Sequence, residues 1–359
     1  SNVTRVVNVG MATTHTVQAA SNLQMIWVEP GAFTMGSPTT EAGRGASKEQ
    51  EHNVTLTKGF YLGKYEVTQA QYEAVMTGNT NSLSATPSQW SNNPNRPVEK
   101  VSWDDAQIFL TRLNAAEQSA GRVPAGWSYV LPTESEWEYA CRAGTTTAYS
   151  WGGDINSSRA NFDQSGLSQT RDVGQYSANP WGFYDMHGNV WEWTADWYQA
   201  AYPTGAVTDP TGSASGPHRV LRGGSWLYHG TVLRSAERYD RHPGNRDNTL
   251  GFRVAFKFTG VHVVTSASNL EMLWVEPGTF TMGSPTSEAG RQSDREDEHN
   301  VTLTKGFYLG KHEVTQAQYE AVMTGNTNSL SATPSEWPNN PNRPVEKVSW
   351  DDAQIFLTR

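Results

Sequence analysis

The segment Leu131-Pro-Thr-Glu-Ser-Glu-Trp-Glu-Tyr-Ala140 carries the clearest structural signal in this sequence. Thr133 and Glu136 are spaced as a capping box, in which two side chains satisfy amides that the first turn of a helix leaves unpaired. The spacing therefore predicts a helix that begins at this segment. Further elements are predicted outward from it: helices that begin at Thr68-x-x-Gln71 and Ser102-x-x-Asp105, and strands over Met25 to Met35, with a turn at Pro30-Gly31, and over Phe60 to Val67.

Aromatic residues and loop-forming residues dominate the composition. The 359 residues are 36% hydrophobic and 18% charged, with 14 Trp, 14 Tyr and 11 Phe. Disordered chains are poor in aromatic residues, so these rings predict a globular core. The 32 Gly and 18 Pro, and the lack of a long periodic segment after Gly144, predict a loop-rich fold with short elements.

Several classes of protein are excluded by the composition. No apolar run approaches the ~18 residues of a membrane span. The single cysteine, Cys141, excludes a disulfide scaffold and a multi-thiolate metal site. The formal net charge of −9, from 27 basic and 36 acidic residues, disfavours nucleic acid as a partner. Because the chain begins with Ser1, within the strand-like stretch Val3 to Val9, we interpret it as a segment of a longer protein.

An internal repeat organises the chain. Residues 22–112 recur as residues 269–359 at a constant offset of 247, and 79 of the 91 paired positions are identical. We predict a tail of a preceding segment at 1–21, a complete domain at 22–258, a linker at 259–268 and a truncated second copy at 269–359. The apolar faces of the second copy are expected to stay partly uncovered. A small self-sufficient repeat is disfavoured, because its amphipathic helix would lack the partners that follow it in the first copy.

Five blocks of sequence form one fingerprint. They are Trp27-Val-Glu-Pro-Gly-Ala-Phe-Thr-Met-Gly36, Pro97-Val-Glu-Lys-Val-Ser-Trp103, Leu131 to Ala140, Gly188-Asn-Val-Trp-Glu-Trp193, and Arg222-Gly-Gly-Ser-Trp226 followed by Gly251-Phe-Arg253. From Leu23 to Phe258 the sequence resembles the formylglycine-generating-enzyme or sulfatase-modifying-factor family, which is related to ergothioneine sulfoxide synthase and pyoverdine maturation domains. The resemblance implies an α+β fold related to C-type lectins, loop-rich with few short helices and strands.

The resemblance implies copper chemistry only where a cysteine pair follows the Gly-Gly-Ser block, because soft thiolates suit Cu(I). In this sequence the first cysteine position resembles Tyr228 and the second falls near Leu233, so copper is not expected. Cys141 is expected to be a buried, inert thiol on the apolar face of its helix. Iron is possible but unsupported, since sequence spacing does not show whether the candidate histidines converge with a carboxylate. These are His187, His218, His229 and His242.

A structural calcium ion is implied around the Gly-Asn-Val-Trp-Glu-Trp loop. The family's ligand pattern carries over to Asp185, Glu192 and the carbonyls of Gly188 and Val190. This mixture of carboxylates and backbone carbonyls is what calcium prefers. In the alternative interpretation, Asp185 caps a turn and Glu192 pairs with an arginine such as Arg253.

The last block of the fingerprint is basic in an acidic chain. Arginines interleaved with aromatic residues are typical of recognition surfaces, since both give directed contacts and bury area. Pairing within the fold is expected for Arg222 and Arg253, whereas Arg238, Arg241 and Arg246 are predicted to be freer to contact a ligand. The family's pocket implies further ligand-binding residues: Trp191, Ser225, Trp226, Tyr228 and His229.

Two functions stay open. The first is a non-catalytic, calcium-stabilised domain that binds a peptide, protein or small ligand. Tandem copies fit this function because linked modules gain avidity without new contacts. The second is an oxidoreductase of the formylglycine-generating or nonheme-iron type that acts on a protein or peptide. The missing cysteine pair favours binding, and the expected compartment is secreted or at the cell surface.

Overall fold

The structure is a computed structural model that describes residues 13–124, 126–264, 267–275, 278–292, 295–303 and 307–359. The chain divides into two compact units, one of residues 1–123 and 128–257, the other of residues 124–127 and 258–359. The stretch Val3 to Val9, and most of the tail predicted at 1–21, lie outside the described residues. None of the helices described is long and apolar enough to cross a membrane.

The part of the first unit that the structure describes has three α-helices, α1 (Gln69–Met76), α2 (Trp103–Ser119) and α3 (Glu134–Arg142). Each begins at a predicted capping box. The side chain of the cap accepts the N–H of the third helical residue, whose own side chain accepts the N–H of the cap. The three predicted helix starts are therefore confirmed.

Among the described residues before 259, the chain forms twelve short strands. They are β1 (Thr14–Val17), β2 (Leu23–Val28), β3 (Gly31–Met35), β4 (His52–Leu56), β5 (Phe60–Gly63), β6 (Trp127–Val130), β7 (Trp191–Trp197), β8 (Val207–Thr208), β9 (Arg219–Arg222), β10 (Tyr239–Arg241), β11 (Leu250–Phe252) and β12 (Ala255–Phe258). They form sheets in the orders β1-β2-β5-β12-β6, β10-β9-β7-β11 and β3-β4-β8.

Two strand predictions need correction. The stretch from Met25 to Met35 is not one strand with a turn, because β2 and β3 lie in different sheets on either side of Pro30. The strand predicted over Phe60 to Val67 ends at Gly63, where a bend at residues 64–65 leads the chain to the cap of α1. Both errors arise because alternation of side chains does not report where a strand changes its partner.

The main core lies where α3 packs against the first and third sheets. Trp137 and Cys141 of α3 are fully buried with Leu62 of β5, Val54 of β4 and Ala255 of β12. From residue 144 to residue 264 there are short strands and single 3-10 turns but no α-helix. The prediction of a loop-rich α+β fold is confirmed.

The second unit repeats the elements of the first copy. Its elements are β13 (Val261–Val264), β14 (Leu270–Val275), β15 (Gly278–Met282), β16 (His299–Leu303), β17 (Phe307–Gly310), α4 (Gln316–Met323) and α5 (Trp350–Thr358). Its capping boxes are also formed, and Tyr319 stacks on Phe356 with ring centroids 5.5 Å apart. Large apolar side chains are nevertheless exposed, as expected: Leu273, Phe280, Met282, Phe307, Leu309, Trp337, Trp350 and Leu357.

Candidate ligand-binding site

The strand β7 is the framework of the site. β9 runs antiparallel to it on one side and β11 runs parallel to it on the other, while β10 pairs with β9. The loop that enters β7 requires glycine at position 188, where φ is +101° and a Cβ would lie 2.3 Å from the carbonyl oxygen of Asn161. The chain therefore arrives at Trp191, the first residue of β7, through a tight turn that only glycine can make.

Three aromatic rings meet at the start of β7. The ring of Trp191 stacks on Tyr239, with centroids 5.3 Å apart, and meets Tyr228 edge-on at 5.6 Å. The predicted pair of Trp191 and Tyr228 is thus brought together. Tyr239 was not predicted, because its approach depends on the pairing of β10 with β9, and its only signal was a place among the interleaved arginines.

Two buried polar atoms beside these rings have no hydrogen-bond partner among the described residues: Nε1 of Trp191 and Oγ of Ser225. Trp191 is 1% exposed and Ser225 is 0% exposed. Ser225 belongs to the turn that carries Tyr228, whose N–H donates to the Ser225 carbonyl at 3.1 Å. An unsatisfied buried polar group costs about 1–3 kcal/mol, so a rearrangement that gave these two atoms an acceptor would recover that energy.

Trp226 and His229 flank this turn differently. Trp226 is 9% exposed, packs edge-on against Trp90, and donates its indole N–H to the carbonyl of Asn248 at 3.1 Å. His229 is exposed, and its side chain accepts the N–H of Thr231 at the start of a 3-10 turn. Trp226 is therefore fixed by its own contacts, whereas the imidazole of His229 faces solvent.

The three arginines predicted to be free have different environments. Arg241 lies over the ring of Tyr239 at 4.4 Å and donates to its hydroxyl at 2.6 Å, so it belongs to the aromatic cluster. Arg246 pairs with Asp105 at 2.6 Å, and its side chain stays 48% exposed.

The structure corrects the prediction made for Arg238. The residue is 2% exposed and donates two hydrogen bonds to the carboxylate of Glu134, at 2.6 and 2.8 Å. The expectation that Arg238 is free is wrong, because the carboxylate of Glu134 at the start of α3 neutralises it. The internal pairing expected for Arg222 and Arg253 is confirmed, with Glu138 and Glu192 as their partners.

Three carboxylates surround one guanidinium near the predicted calcium loop; Glu66 and Glu192 are buried, and Asp185 is half-buried. Glu192 accepts from Arg253 at 2.8 Å and from the indole of Trp137 at 2.8 Å. Asp185, in the left-handed conformation, accepts the N–H of Gly174 at 2.6 Å. Glu66 accepts the N–H of Val190 at 3.1 Å.

This cluster carries more negative than positive charge. Burial raises the pKa of Asp185 to about 6, against the hydrogen bond from Gly174 and the charge of Arg253. Burial, and then the charges of Asp185 and Glu192, raise the pKa of Glu66 well above its usual range. The pairing of Glu192 with Arg253 is the one expected in the alternative interpretation, and the calcium site at Asp185, Gly188, Val190 and Glu192 stays a prediction.

The only cysteine lies away from the aromatic cluster, inside the main core. Cys141 is 0% exposed, and burial raises the pKa of its thiol to about 12. Its sulfur lies 3.6 Å from Nε2 of His187, but that nitrogen also accepts the N–H of Ser150 at 3.2 Å. Burial lowers the pKa of His187 to about 4, so neither a thiolate nor an imidazolium is available, and the prediction of a buried cysteine is confirmed.

Tyr228 and Leu233 are the residues at which the resemblance implies the family's cysteine pair. Tyr228 packs its ring on Trp191, and Leu233 is fully buried beside Phe162. The candidate histidines are dispersed: His187 is in the core, His218 pairs with Asp240, and His242 accepts the N–H of Gly244. Across the described ranges, no three His, Cys, Asp or Glu side chains are grouped to hold a metal.

A cavity of about 310 Å³ lies at the start of α3. Glu134, Arg238 and Tyr202 line it together with Asp196 of β7. Asp196 accepts the N–H of Glu134 at 2.7 Å, and burial raises its pKa to about 7. This cavity was not predicted from the sequence, because a bulge within β7 between Trp193 and Trp197 sets the direction of Asp196.

The chain is similar to several known proteins. The chain is 28% identical over 293 residues to the formylglycine-generating enzyme of Mus musculus, a match that covers 65% of this chain and 74% of that one. Among solved structures, PvdO from Pseudomonas aeruginosa has a TM-score of 0.59 at 27% identity, covering 68% of this chain and 98% of that one. The Treponema denticola variable protein 1 has a TM-score of 0.56 at 28% identity, covering 67% and 97%.

The chain spans between 20% and 74% of the length of the first curated relatives that it matches. The family model described as the sulfatase-modifying factor enzyme 1-like domain matches twice, at residues 11–258 and 259–358. Together these matches include nearly the whole sequence. The chain therefore belongs to the sulfatase-modifying-factor family.

Proposed function

We propose that the first unit is a non-catalytic domain that binds a peptide, protein or small ligand at the cluster of Trp191, Tyr228, Tyr239 and Ser225. The observation that carries this proposal is the pair of buried donors without partners, Nε1 of Trp191 and Oγ of Ser225. The half-buried rings of Tyr228 and Tyr239 offer apolar area in the same cluster, and Arg241 lies over the ring of Tyr239. Such a mixture of apolar surface and a few directed polar groups suits a ligand with carbonyl or carboxylate acceptors.

Calcium has a structural role in this proposal. Asp185, the carbonyls of Gly188 and Val190, and a shared Glu192 would hold it, and the ion would offset the excess charge of the carboxylate cluster. A bound ion would fix the loop that delivers Trp191 to the site. It would stabilise the folded domain by mass action, by about 2.7 kcal/mol at a calcium concentration 100 times the Kd.

Metal analysis of the purified chain tests the proposal. We expect about one calcium ion for the first unit, with no stoichiometric copper or iron, and a melting temperature that falls when calcium is chelated. Asp185→Asn should abolish the response to calcium. Stoichiometric iron or copper that is lost in His229→Ala would overturn the non-catalytic assignment.

Ligand binding is tested with two substitutions at the cluster. A panel of acetylated, amidated peptides is screened by thermal shift against the parent protein, Ser225→Ala and Trp191→Phe. The first variant removes the hydroxyl, and the second removes the indole N–H while keeping an aromatic ring. Peptides that stabilise the parent should lose most of their effect in both variants, whereas equal shifts in all three proteins would place binding elsewhere.

The second candidate function is an oxidoreductase that acts on a protein or peptide. It is favoured by the similarity to the mouse formylglycine-generating enzyme. A peptide with the Cys-x-Pro-x-Arg pattern, incubated with the chain with and without added copper, tests it. We expect no aldehyde product, because Tyr228 and Leu233 stand where the resemblance implies the cysteine pair.

A further inference from the structure

A pocket recurs at equivalent positions in both copies of the repeat. In the first unit it has a volume of about 310 Å³ and lies between α1 and the loop of residues 85–98. In the second unit it has a volume of about 410 Å³ and lies between α4 and the loop of residues 332–345. Of the 12 lining positions, 11 hold the same residue type in both copies, the exception being Ser91 and Pro338.

The repeated segment builds the walls of this pocket by itself. In the first unit, Nε2 of Gln69 donates to the carbonyl of Trp90 at 3.1 Å. The equivalent bond in the second unit, from Gln316 to Trp337, is also 3.1 Å long. The bond from the Ala70 N–H to the Pro94 carbonyl recurs at the same 3.2 Å in the second copy. The pocket therefore does not depend on the segments that cover the first copy alone.

The lining has a specific chemistry. Its polar groups are the amides of Gln69, Asn92 and Asn93, the hydroxyls of Thr86 and Ser88, and one carboxylate, Glu73. The rest of the lining is alanine, proline and valine, apart from Ser91. No cationic side chain is among the lining residues of either pocket.

The carboxylate is not neutralised by the fold. Glu73 and its counterpart Glu320 are exposed, and neither carboxylate makes an ion pair or hydrogen bond within the described part of the chain. Beside Glu73, the hydroxyl of Thr86 and the amide of Asn92 can bond a peptide backbone. The other lining polar groups Gln69, Ser88 and Asn93 are already bonded within the fold. Apolar lining residues next to a carboxylate suit a basic side chain, because its aliphatic part packs against them while its charged group pairs with the carboxylate.

We infer that each copy of the repeat carries a binding pocket for a peptide segment with a lysine or arginine side chain, whose charged group pairs with Glu73 or Glu320. The two pockets have nearly the same lining, so they take the same ligand. The net charge of −9 attracts such a peptide to the chain. The inference does not rest on the cluster at Trp191, because the pocket lies in the repeated segment.

Titration of the isotope-labelled full chain by NMR tests the inference. The probe is Nα-acetyl-lysine methylamide, and the neutral control is the norleucine analogue, which has the stem but not the ammonium group. We expect saturable shifts of amide signals in residues 69–73 and 316–320 with lysine. The norleucine analogue should bind about two- to fivefold more weakly, the factor expected for an ion pair at an exposed carboxylate.

Variants that remove one carboxylate show which pocket gives rise to each set of amide shifts. Glu73→Gln should remove the shifts at residues 69–73 and leave those at 316–320, and Glu320→Gln should do the reverse. Glu51→Gln and Glu298→Gln are matched controls, because they remove an exposed charge at equivalent positions outside the pocket. The inference is overturned if no shift saturates, if the norleucine analogue binds equally well, or if the pocket variants behave like the controls.

Discussion

The repeat allows one core position to be tested against an internal control. Leu62 of β5 is 0% exposed and lies in the main core, where it pairs with Ala255 of β12. Its counterpart Leu309 of β17 has the same neighbours in sequence but is 60% exposed. The same substitution to alanine should therefore have very different costs in the two copies.

The magnitude follows from burial. Leu62→Ala removes a buried side chain and leaves a cavity, which costs about 2–5 kcal/mol of unfolding free energy. Leu309→Ala removes a side chain that is mostly in water and should stay within about 0.5 kcal/mol. With a urea slope of about 3 kcal/mol/M, the midpoint of Leu62→Ala should fall by about 1 M.

The assay is urea unfolding of the full chain followed by tryptophan fluorescence, since most tryptophans lie in the first unit. Met76→Ala and Met323→Ala are the matched controls, because both methionines are 0% exposed. Each should destabilise its own unit. Equal costs for Leu62→Ala and Leu309→Ala would refute the reasoning, because they would mean that the second copy buries its sheet face as the first does.

Three further predictions concern buried ionisable side chains. Arg253→Leu should destabilise the first unit by about 3–5 kcal/mol, because Glu66, Asp185 and Glu192 lose their shared cation; calorimetry that finds the variant as stable as the parent would contradict this. Burial raises the pKa of Asp196 to about 7. Its unfolded value is about 4, so the parent loses stability as pH rises from about 4 to 7. Asp196→Asn keeps the acceptor for the Glu134 N–H, so its stability relative to the parent should rise between pH ~5 and ~8 in urea titrations. A difference in unfolding free energy that does not change with pH would contradict the raised pKa of Asp196. The thiol of Cys141, whose pKa burial raises to about 12, should react with a thiol reagent at least about 100-fold more slowly in the native protein than in urea. Rapid labelling of the native chain would show that the thiol is accessible.

Local signals in the sequence predicted the helices and the type of fold. The boxes at Thr68, Ser102 and Thr133 fix helix starts because both hydrogen bonds of a box lie within four residues. Strand ends were less predictable. β5 stops at Gly63 because the chain must turn toward α1, and this requirement comes from the tertiary structure.

The site was predicted in part. Trp191 and Tyr228 were expected in one pocket and do meet, but Tyr239 joins them only through the pairing of β10 with β9. Arg238 was predicted to be free because its sequence neighbours are basic and aromatic. Its partner Glu134 lies more than a hundred residues earlier, and composition cannot reveal a pairing over that distance.

The fingerprint residues are largely the ones that hold the loops together. Glu134 pairs with Arg238, Glu136 with Lys257, and Glu138 with Arg142 and Arg222.

Trp137 of the same helix also bridges two blocks, because its indole donates to Glu192, the partner of Arg253. A fold with so few regular elements needs these contacts, since buried charges without partners would be strongly destabilising. A match to the fingerprint therefore reports the fold. The resemblance implies that redox chemistry depends instead on the positions of Tyr228 and Leu233, which can change while every structural contact stays, so membership of the family does not by itself give a chain catalytic activity.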